Sequence, residues 1–179
     1  MRILGIDPGS AVTGYGVIDA EAGKLTHIVH GTLRPPIHMP MASRLHFLHD
    51  AIEAIVREHE PDTAVIEQVF VSASARSALV LGQARGVALA AVGAGALTVV
   101  EYSATRIKQS LTGSGHAGKQ QVKNMVRRLL ALDRAPASDA ADALAGAICH
   151  GKAGRLGVIE QQIRGRRGSA ALRATRVAR

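Results

Sequence analysis

The chain has 179 residues, of which 47% are hydrophobic and 20% charged, with one cysteine and a formal net charge of +8. That length predicts one domain with a full apolar core, and the lone cysteine excludes a fold held by intrachain disulfides. Because no leader-peptide pattern is present and the longest uncharged stretch, 86–100, is too short to cross a bilayer, we expect a soluble, cytoplasmic protein with no membrane contact.

A buried strand is predicted at the start of the chain. Residues 3–6 are apolar, and Pro8 and Gly9 predict a turn before a second strand at about 14–19. Asp7 therefore stands at the carboxyl end of an inner strand, where an unpaired carboxylate is costly. Two interpretations remain open on this segment alone: Asp7 accepts hydrogen bonds from the turn amides, or it meets a cation.

The next segments predict a third strand, a helix and a fourth strand. Residues 24–33 alternate loosely between apolar and polar, and the prolines of 34–41 break regular structure. Apolar residues three and four apart, from Leu45 to Val56, predict a helix that ends near Glu60 and Pro61. The apolar run 63–66 predicts an interior strand, which ends in a second carboxylate, Glu67.

The second half of the chain is predominantly helical by the same criteria. Residues 77–92 predict a helix that is apolar around most of its circumference, so it is either a central core helix or the seam of a homodimer. A fifth strand at 97–100 follows. Three further helices are predicted at 103–111, 119–132 and 138–149. This order of elements predicts an α/β fold in which helices flank a mixed five-stranded sheet.

Positive charge is concentrated in two regions. Residues 1–151 hold 14 basic and 13 acidic side chains, whereas 152–179 hold 8 basic and one acidic side chain. Within the first part, 101–134 holds 7 basic and 2 acidic side chains. We therefore divide the chain into a folded domain, 1–151, and a Gly- and Arg-rich tail, 152–179, that we expect to be mostly disordered. Both basic regions favour a polyanionic partner such as nucleic acid.

Four acidic side chains are predicted to converge. If the strands that end in Asp7 and Glu67 are neighbours, their carboxylates lie side by side, and Asp139 and Asp142 share one helix face because they are three residues apart. A favourable helix dipole accounts for Asp139 better than for Asp142. Four unpaired acids repel one another, and hard divalent cations relieve that repulsion. Two Mg²⁺ ions roughly 3.5–4 Å apart are the usual arrangement for phosphodiester cleavage.

Five motifs together resemble the RuvC family of bacterial Holliday junction resolvases. In order along the chain they are Ile-Asp-Pro-Gly-Ser at 6–10 with Thr-Gly-Tyr-Gly at 13–16, Ile-Glu-Gln-Val-Phe at 66–70, Leu-Gly-Gln-Ala-Arg-Gly at 81–86 and Asp-Ala-Ala-Asp-Ala-Leu-Ala at 139–145. The resemblance implies an RNase H-like fold and a homodimer that nicks two opposed strands of a four-way DNA junction in recombination and repair. It also implies a site made of the four acids with Mg²⁺ or Mn²⁺, and RuvA and RuvB branch-migration proteins as partners.

The resemblance implies substrate contacts at three further residues. Phe70 would stack at the opened junction centre. The alternative interpretation is that Phe70 is an aromatic residue of the core. Lys108 and Lys119 match family positions that contact or polarise phosphate near the metals, and their alternative is a solvated surface. His116 is interpreted as a phosphate contact or a plain surface residue. Gly118 departs from the family pattern, which has a polar residue before Lys119.

Two other classes of protein are weighed on these residues. The turn after the first strand also resembles the phosphate loop of sugar kinases and actin-like ATPases, but those proteins need two such domains and 179 residues allow only one. The second alternative is a junction-binding module without catalytic activity. Four acids would oppose phosphate binding in such a module, so the pattern favours a nuclease.

Overall fold

A mixed five-stranded sheet lies at the centre of the chain in a computed structural model, which describes residues 1–68 and 74–153. The strand order is β3-β2-β1-β4-β5; β1 and β3 are antiparallel to β2, while β1 and β5 are parallel to β4. The strands are β1 (Arg2–Asp7), β2 (Thr13–Glu21), β3 (Lys24–Leu33), β4 (Thr63–Gln68) and β5 (Thr98–Ser103). The predicted sheet is confirmed, with β1 as its central strand.

Five helices cover the two faces of this sheet in the described part of the chain. They are α1 (Met41–His59), α2 (Ala75–Ala94), α3 (Ala104–Thr112), α4 (Lys119–Leu129) and α5, described over residues 138–153. All five were predicted, with shifted ends. The first turn of α1 directly after Pro40 was missed because the apolar periodicity begins only at Leu45. Helix α4 ends at Leu129, and Ala131 then takes a positive φ of 50°.

Two apolar cores lie on opposite faces of the sheet because successive strand residues point to opposite sides. In β1, Ile3 belongs to one core and Leu4 to the other, and both are fully buried. The core beneath α3, α4 and α5 includes Ile18, Val65, Ile107, Val126, Leu144 and Ile148. The core beneath α1 and α2 includes Val17, Ile52, Ile55, Ile66, Ala88 and Val92.

Helix α5 packs unusually close to the sheet. A Cβ placed on Gly5 of β1 would lie 2.0 Å from the carbonyl oxygen of Ala143, and one on Gly14 of β2 would lie 2.0 Å from that of Asp139. Any side chain at these two positions would force the helix outward. The glycines of β1 and β2 therefore set the distance between α5 and the sheet, and with it the distance of Asp139 and Asp142 from the sheet.

Helix α2 is buried much less completely. Its buried residues are Ala84, Ala88, Ala91 and Val92, while Leu79 is 69% exposed. By length and composition, α2 is the one helix in the described segments that could cross a membrane, and 22% of its most apolar window is buried. The interpretation as a central core helix therefore does not fit, and an apolar face of α2 lies open.

Candidate active site

Asp7 and Glu67 lie next to each other at the carboxyl-terminal end of neighbouring strands. Strands β1 and β4 are parallel neighbours, with Ile6 paired to Ile66, and each carboxylate is the next residue along its strand. The expected side-by-side placement is confirmed. Parallel pairing explains it, because the carboxyl ends of parallel strands lie at one edge.

A cavity of about 430 Å³ collects most of the predicted site residues. It is lined by the acids Asp7, Glu67 and Asp142 and by the cations Lys108 and Lys119, so strands β1 and β4 and helices α3, α4 and α5 each contribute one charged side chain. The remaining lining is mostly apolar, including Leu81, Ile107 and Val122. The site is therefore a cleft lined by both charged and apolar side chains.

Asp139 lies on a neighbouring cavity rather than in this one. That cavity, of about 510 Å³, is bounded by the turn after β1, by Arg76 and Ser77 at the start of α2, and by Asp139. Asp139 nevertheless lies near enough to Asp7 to raise the pKa of its carboxyl. Three of the four predicted acids therefore share one cavity, and the fourth approaches from beside it.

The acids of the site raise one another's pKa. Burial, followed by the carboxylates of Asp142, Glu67 and Asp139, raises the pKa of Asp7 to about 7, against a partial opposing effect of Lys119. Burial also raises the pKa of Glu67 and that of Asp142. The repulsion expected from the sequence is present, and the two lysines compensate only part of it.

The two lysines are held by well-defined helix starts and ends. Lys108 lies in the short helix α3, which begins with a Ser103 side chain that accepts a bond from the Arg106 N–H and ends at Gly113 with a φ of 80°. Lys119 is the first residue of α4, after Gly118. A cation at a helix N-terminus opposes the helix dipole, so its position is explained by the facing carboxylates rather than by helix stability.

The turn behind Asp7 is fixed by residues that sequence reasoning missed. The Thr13 hydroxyl accepts from the Gly9 N–H at 3.2 Å and donates to the Gly9 carbonyl at 2.8 Å, and Thr13 is 1% exposed. The Arg44 guanidinium of α1 donates to the carbonyl of Ser10. The threonine of the 13–16 motif was the available signal for the first contact. The contact from Arg44 joins residues 34 positions apart and left no local signal.

Three other sequence predictions have different outcomes. Phe70 and the tail beyond residue 153 lie outside the described residues, so their roles stay predictions. His116 is exposed in the turn before α4 and does not line the cavity. The third prediction is the division between the domain, 1–151, and the tail, 152–179. Helix α5 is described to residue 153, and the Lys152 ammonium donates to the Ser110 carbonyl at 3.2 Å.

The donor chemistry of the cavity suits a hard divalent cation. Carboxylate oxygens are the ligands that Mg²⁺, Ca²⁺ and Mn²⁺ prefer, and the raised pKa values indicate a local deficit of positive charge. A second group, His49, Asp50 and Glu53 on α1, also brings its ligand atoms within 4.8 Å of one another. Asp50 is exposed, His49 and Glu53 are half-buried, and the group lies outside the cavity.

Comparison with known sequences agrees with the resemblance that the five motifs indicate. A family model described as crossover junction endodeoxyribonuclease RuvC matches residues 3–150. A relative with that description from Burkholderia vietnamiensis is 51% identical over 160 residues, covering 89% of this chain and 88% of the relative. Another, from Geobacter sulfurreducens, is 43% identical over 164 residues, covering 92% of this chain and all of the relative.

Comparison with solved structures agrees. The structure of Thermus thermophilus RuvC matches with a TM-score of 0.80 at 32% identity, covering 88% of this chain and 97% of that chain. T. thermophilus RuvC in complex with Holliday junction substrate matches with a TM-score of 0.82 at 32% identity, covering 88% and 96%. The yeast mitochondrial Holliday junction resolvase Ydc2, at 12% identity and a TM-score of 0.60 over 84% and 80%, shares the fold.

Proposed function

The chain belongs to the RuvC family of crossover junction endodeoxyribonucleases, and from that membership we propose that it resolves four-way (Holliday) DNA junctions by symmetric paired nicks in recombination and repair. The single observation that carries the proposal is the cavity where Asp7, Glu67 and Asp142 face Lys108 and Lys119. Oxygen ligands for metals and cations for phosphate meet there at one edge of an RNase H-like sheet.

The family is divalent-metal dependent, and we assign the metal as Mg²⁺, with Mn²⁺ as the alternative. Asp7, which ends the central strand, would hold two ions together with Glu67, Asp139 and Asp142. When bound, two such ions would supply an activated water for in-line attack and would neutralise the leaving 3′ oxygen. The donor set supports this assignment, since every proposed ligand atom is a carboxylate oxygen.

The side chains themselves position the substrate and the charge. Carboxylates of Asp7, Glu67 and Asp142 fix the ligand positions from two strands and one helix, so a shift of any one element disturbs the set. Lys108 and Lys119 offer ammonium donors to the scissile phosphate and offset the acids that would otherwise repel it. No side chain is required as the nucleophile.

Phe70 is proposed to act at the opened centre of the junction. Phe70 follows Gln68, which lines the cavity, by two positions in the sequence. An aromatic ring can stack on an unpaired base, which is worth about 1–3 kcal/mol per base in single-strand binders. Loss of junction cutting without loss of fold in Phe70→Ala would support this role.

We also propose that two copies of the chain associate through α2. Its apolar face is open at Leu79, and a Cβ on Gly82 or Gly86 would meet no described atom within 4 Å. Glycine at these positions allows a second helix to approach closely. A four-way junction presents two equivalent strands, and a twofold dimer presents two sites to them.

The remaining parts of the proposal rest on family membership and charge. RuvA and RuvB as partners, and a cytoplasmic location, follow from the family. The Arg-rich stretch 165–179 would add non-specific affinity for DNA through phosphate contacts. Deletion of residues 166–179 should then flatten the salt dependence of DNA binding, and an unchanged slope would show that these residues do not contact DNA.

The decisive test compares Asp7→Asn with the native chain on a synthetic four-way junction. We expect Asp7→Asn to bind the junction in the presence of a chelator with native affinity and to cut it at least 100-fold more slowly with Mg²⁺, because removing one liganding charge costs metal and transition-state stabilisation. Glu21→Gln, an exposed acid at the end of β2, is the control and should cut normally. Native cutting by Asp7→Asn would refute the site assignment.

A further inference from the structure

An irregularity in β3 brings two histidines to one face of the sheet. Residues three apart on a regular strand point to opposite faces. In β3, however, His27 pairs with Ile18 and Val29 pairs with Val17, so Ile28 is one extra residue on this strand. Such a bulge restores His27 and His30 to the same side.

The neighbouring residues identify that side as the face of α4 and α5. Ile18, the partner of His27, belongs to the core beneath these helices. Gly16, the partner of His30, lies beneath Leu144 of α5, whose Cδ2 would be 2.4 Å from a Cβ at Gly16. Both rings therefore lie beside the core, on the side of α4 and α5, and both are half-buried.

The two rings face one another across a short gap. The Nε2 atom of His27 lies 2.7 Å from the Nδ1 atom of His30, with ring centroids 4.8 Å apart and planes inclined by 61°. The pair opens into a cavity of about 720 Å³ between β3 and residues 130–135. Burial lowers the pKa of each imidazole, so the neutral form that binds metals is favoured.

We propose that His27 and His30 chelate a transition-metal ion of the Cu²⁺ or Ni²⁺ class. Metal–nitrogen bonds of about 2.0 Å at a right angle place the two nitrogens about 2.8 Å apart, whereas a tetrahedral angle needs about 3.3 Å. The observed 2.7 Å is close to the right-angled arrangement of tetragonal sites. Cu²⁺ also binds nitrogen ligands most strongly among the divalent first-row ions.

The two imidazoles can bind a metal ion without losing a proton. In the neutral pair one proton lies between the facing nitrogens, and moving it to the outer nitrogen of the same ring frees both lone pairs. No net proton is released. Lys24 and Arg134 also line the cavity, and both are exposed, so these cations can turn into solvent.

The site is separate from the proposed catalytic cavity. Strand β3 is the edge strand two places from β1, and His27 pairs near the end of β2 opposite to Gly14, the partner of Asp7. The ligand chemistry also differs, since imidazole nitrogens suit Cu²⁺ and Ni²⁺ and carboxylate oxygens suit Mg²⁺. Saturating Mg²⁺ can therefore occupy the oxygen sites without blocking the histidines.

The test is calorimetric titration of the full chain with Ni²⁺ in excess Mg²⁺. We expect one tight site per chain in the native protein, and at least tenfold weaker binding in His27→Ala and in His30→Ala. His49→Ala is the matched control, because His49 belongs to the other group of close ligand atoms, and it should bind as the native chain does. Junction cleavage with Mg²⁺ should be unchanged in all three variants.

Native affinity in His27→Ala, or loss of the tight site in His49→Ala, would overturn the proposal. A measurement on the native chain covers the case in which a variant fails to fold. Electron paramagnetic resonance of one equivalent of Cu²⁺ should show hyperfine coupling to two imidazole nitrogens. A spectrum with only oxygen ligands would equally refute the assignment.

Discussion

Helices α2 and α5 are both rich in alanine and other small apolar residues, but they pack in different ways. In α5 nearly every residue from Ala140 to Cys149 is buried, whereas α2 buries four residues and leaves Leu79 exposed. The difference lies in the partner surfaces. The backbone of α5 packs directly on Gly5 of β1 and Gly14 of β2, where an added Cβ would clash. A Cβ added at Gly82 or Gly86 of α2 would meet no described atom within 4 Å.

This contrast shows that small residues have two distinct uses in the protein. Around α5 they fix the position of Asp139 and Asp142 relative to β1, so the close packing of α5 also positions two residues of the proposed active site. On α2 they keep a surface flat and apolar, which suits a second copy of the chain. Substitutions at equivalent residue types in the two helices should therefore have very different effects.

The largest effect is expected for Gly14→Ala at the α5 contact. The added Cβ would lie 2.0 Å from the Asp139 carbonyl oxygen, so the start of α5 must move. We expect a loss of about 3 kcal/mol or more in the free energy of unfolding and a severe loss of cleavage, because overpacking here displaces two proposed ligands. Urea denaturation and junction cleavage measure the two effects.

Gly82→Ala on α2 is the matched control for that substitution. A Cβ at Gly82 meets nothing within 4 Å, and alanine is a better helix former by about 1 kcal/mol. Monomer stability should therefore stay the same or rise slightly. Equal destabilisation by Gly14→Ala and Gly82→Ala would contradict the proposed difference between the two helices.

The second effect in size concerns the charges that α5 brings to β1. The pKa of Asp7 is about 7 in the folded, metal-free chain and 3.8 when unperturbed, so the folded state binds the proton more tightly. This contribution to stability is fully present below about pH 4 and is lost as the pH rises through 7. In a chelator at about pH 8, Asp7→Asn should be more stable than the native chain by about 2–4 kcal/mol.

At about pH 4 the difference between Asp7→Asn and the native chain should nearly vanish. Urea denaturation at the two pH values measures it, and Glu21→Gln is the control because Glu21 is exposed and outside the cluster. A gain in Asp7→Asn that is the same at both pH values would mean that charge repulsion is not its cause.

A smaller effect is expected at the turn that precedes β2. Thr13→Val keeps the shape of the buried side chain but removes both hydrogen bonds to Gly9. We expect a loss of about 1–3 kcal/mol in stability, since the Gly9 groups lose their partner. Cleavage should fall more than DNA binding, because the turn directly follows Asp7. Hydrogen exchange of the amides at 9–12 should also accelerate, and unchanged exchange would exclude a positioning role.

The sequence predicts the parts of the fold and site that depend on local patterns. Asp7 and Glu67 each end an apolar run, and parallel pairing then makes them neighbours. Asp142 follows from helical spacing. By contrast, the hydrogen bond from Arg44 to Ser10 depends on tertiary packing, and the bulge at Ile28 depends on one inserted residue. Sequence periodicity reveals neither feature. The close approach of α5 also needed the register that places glycines beneath it.

The smallest effect on monomer stability, and the sharpest on assembly, is expected for Leu79→Lys. Leu79 is 69% exposed, so this substitution buries no charge in the single chain and should change its stability by less than about 0.5 kcal/mol. If α2 forms the dimer seam, this substitution places a charge in an apolar interface and should dissociate the dimer. Sedimentation should show monomers, and cutting should change from paired to single nicks. A native sedimentation profile would place the interface elsewhere and leave the open face of α2 to another partner.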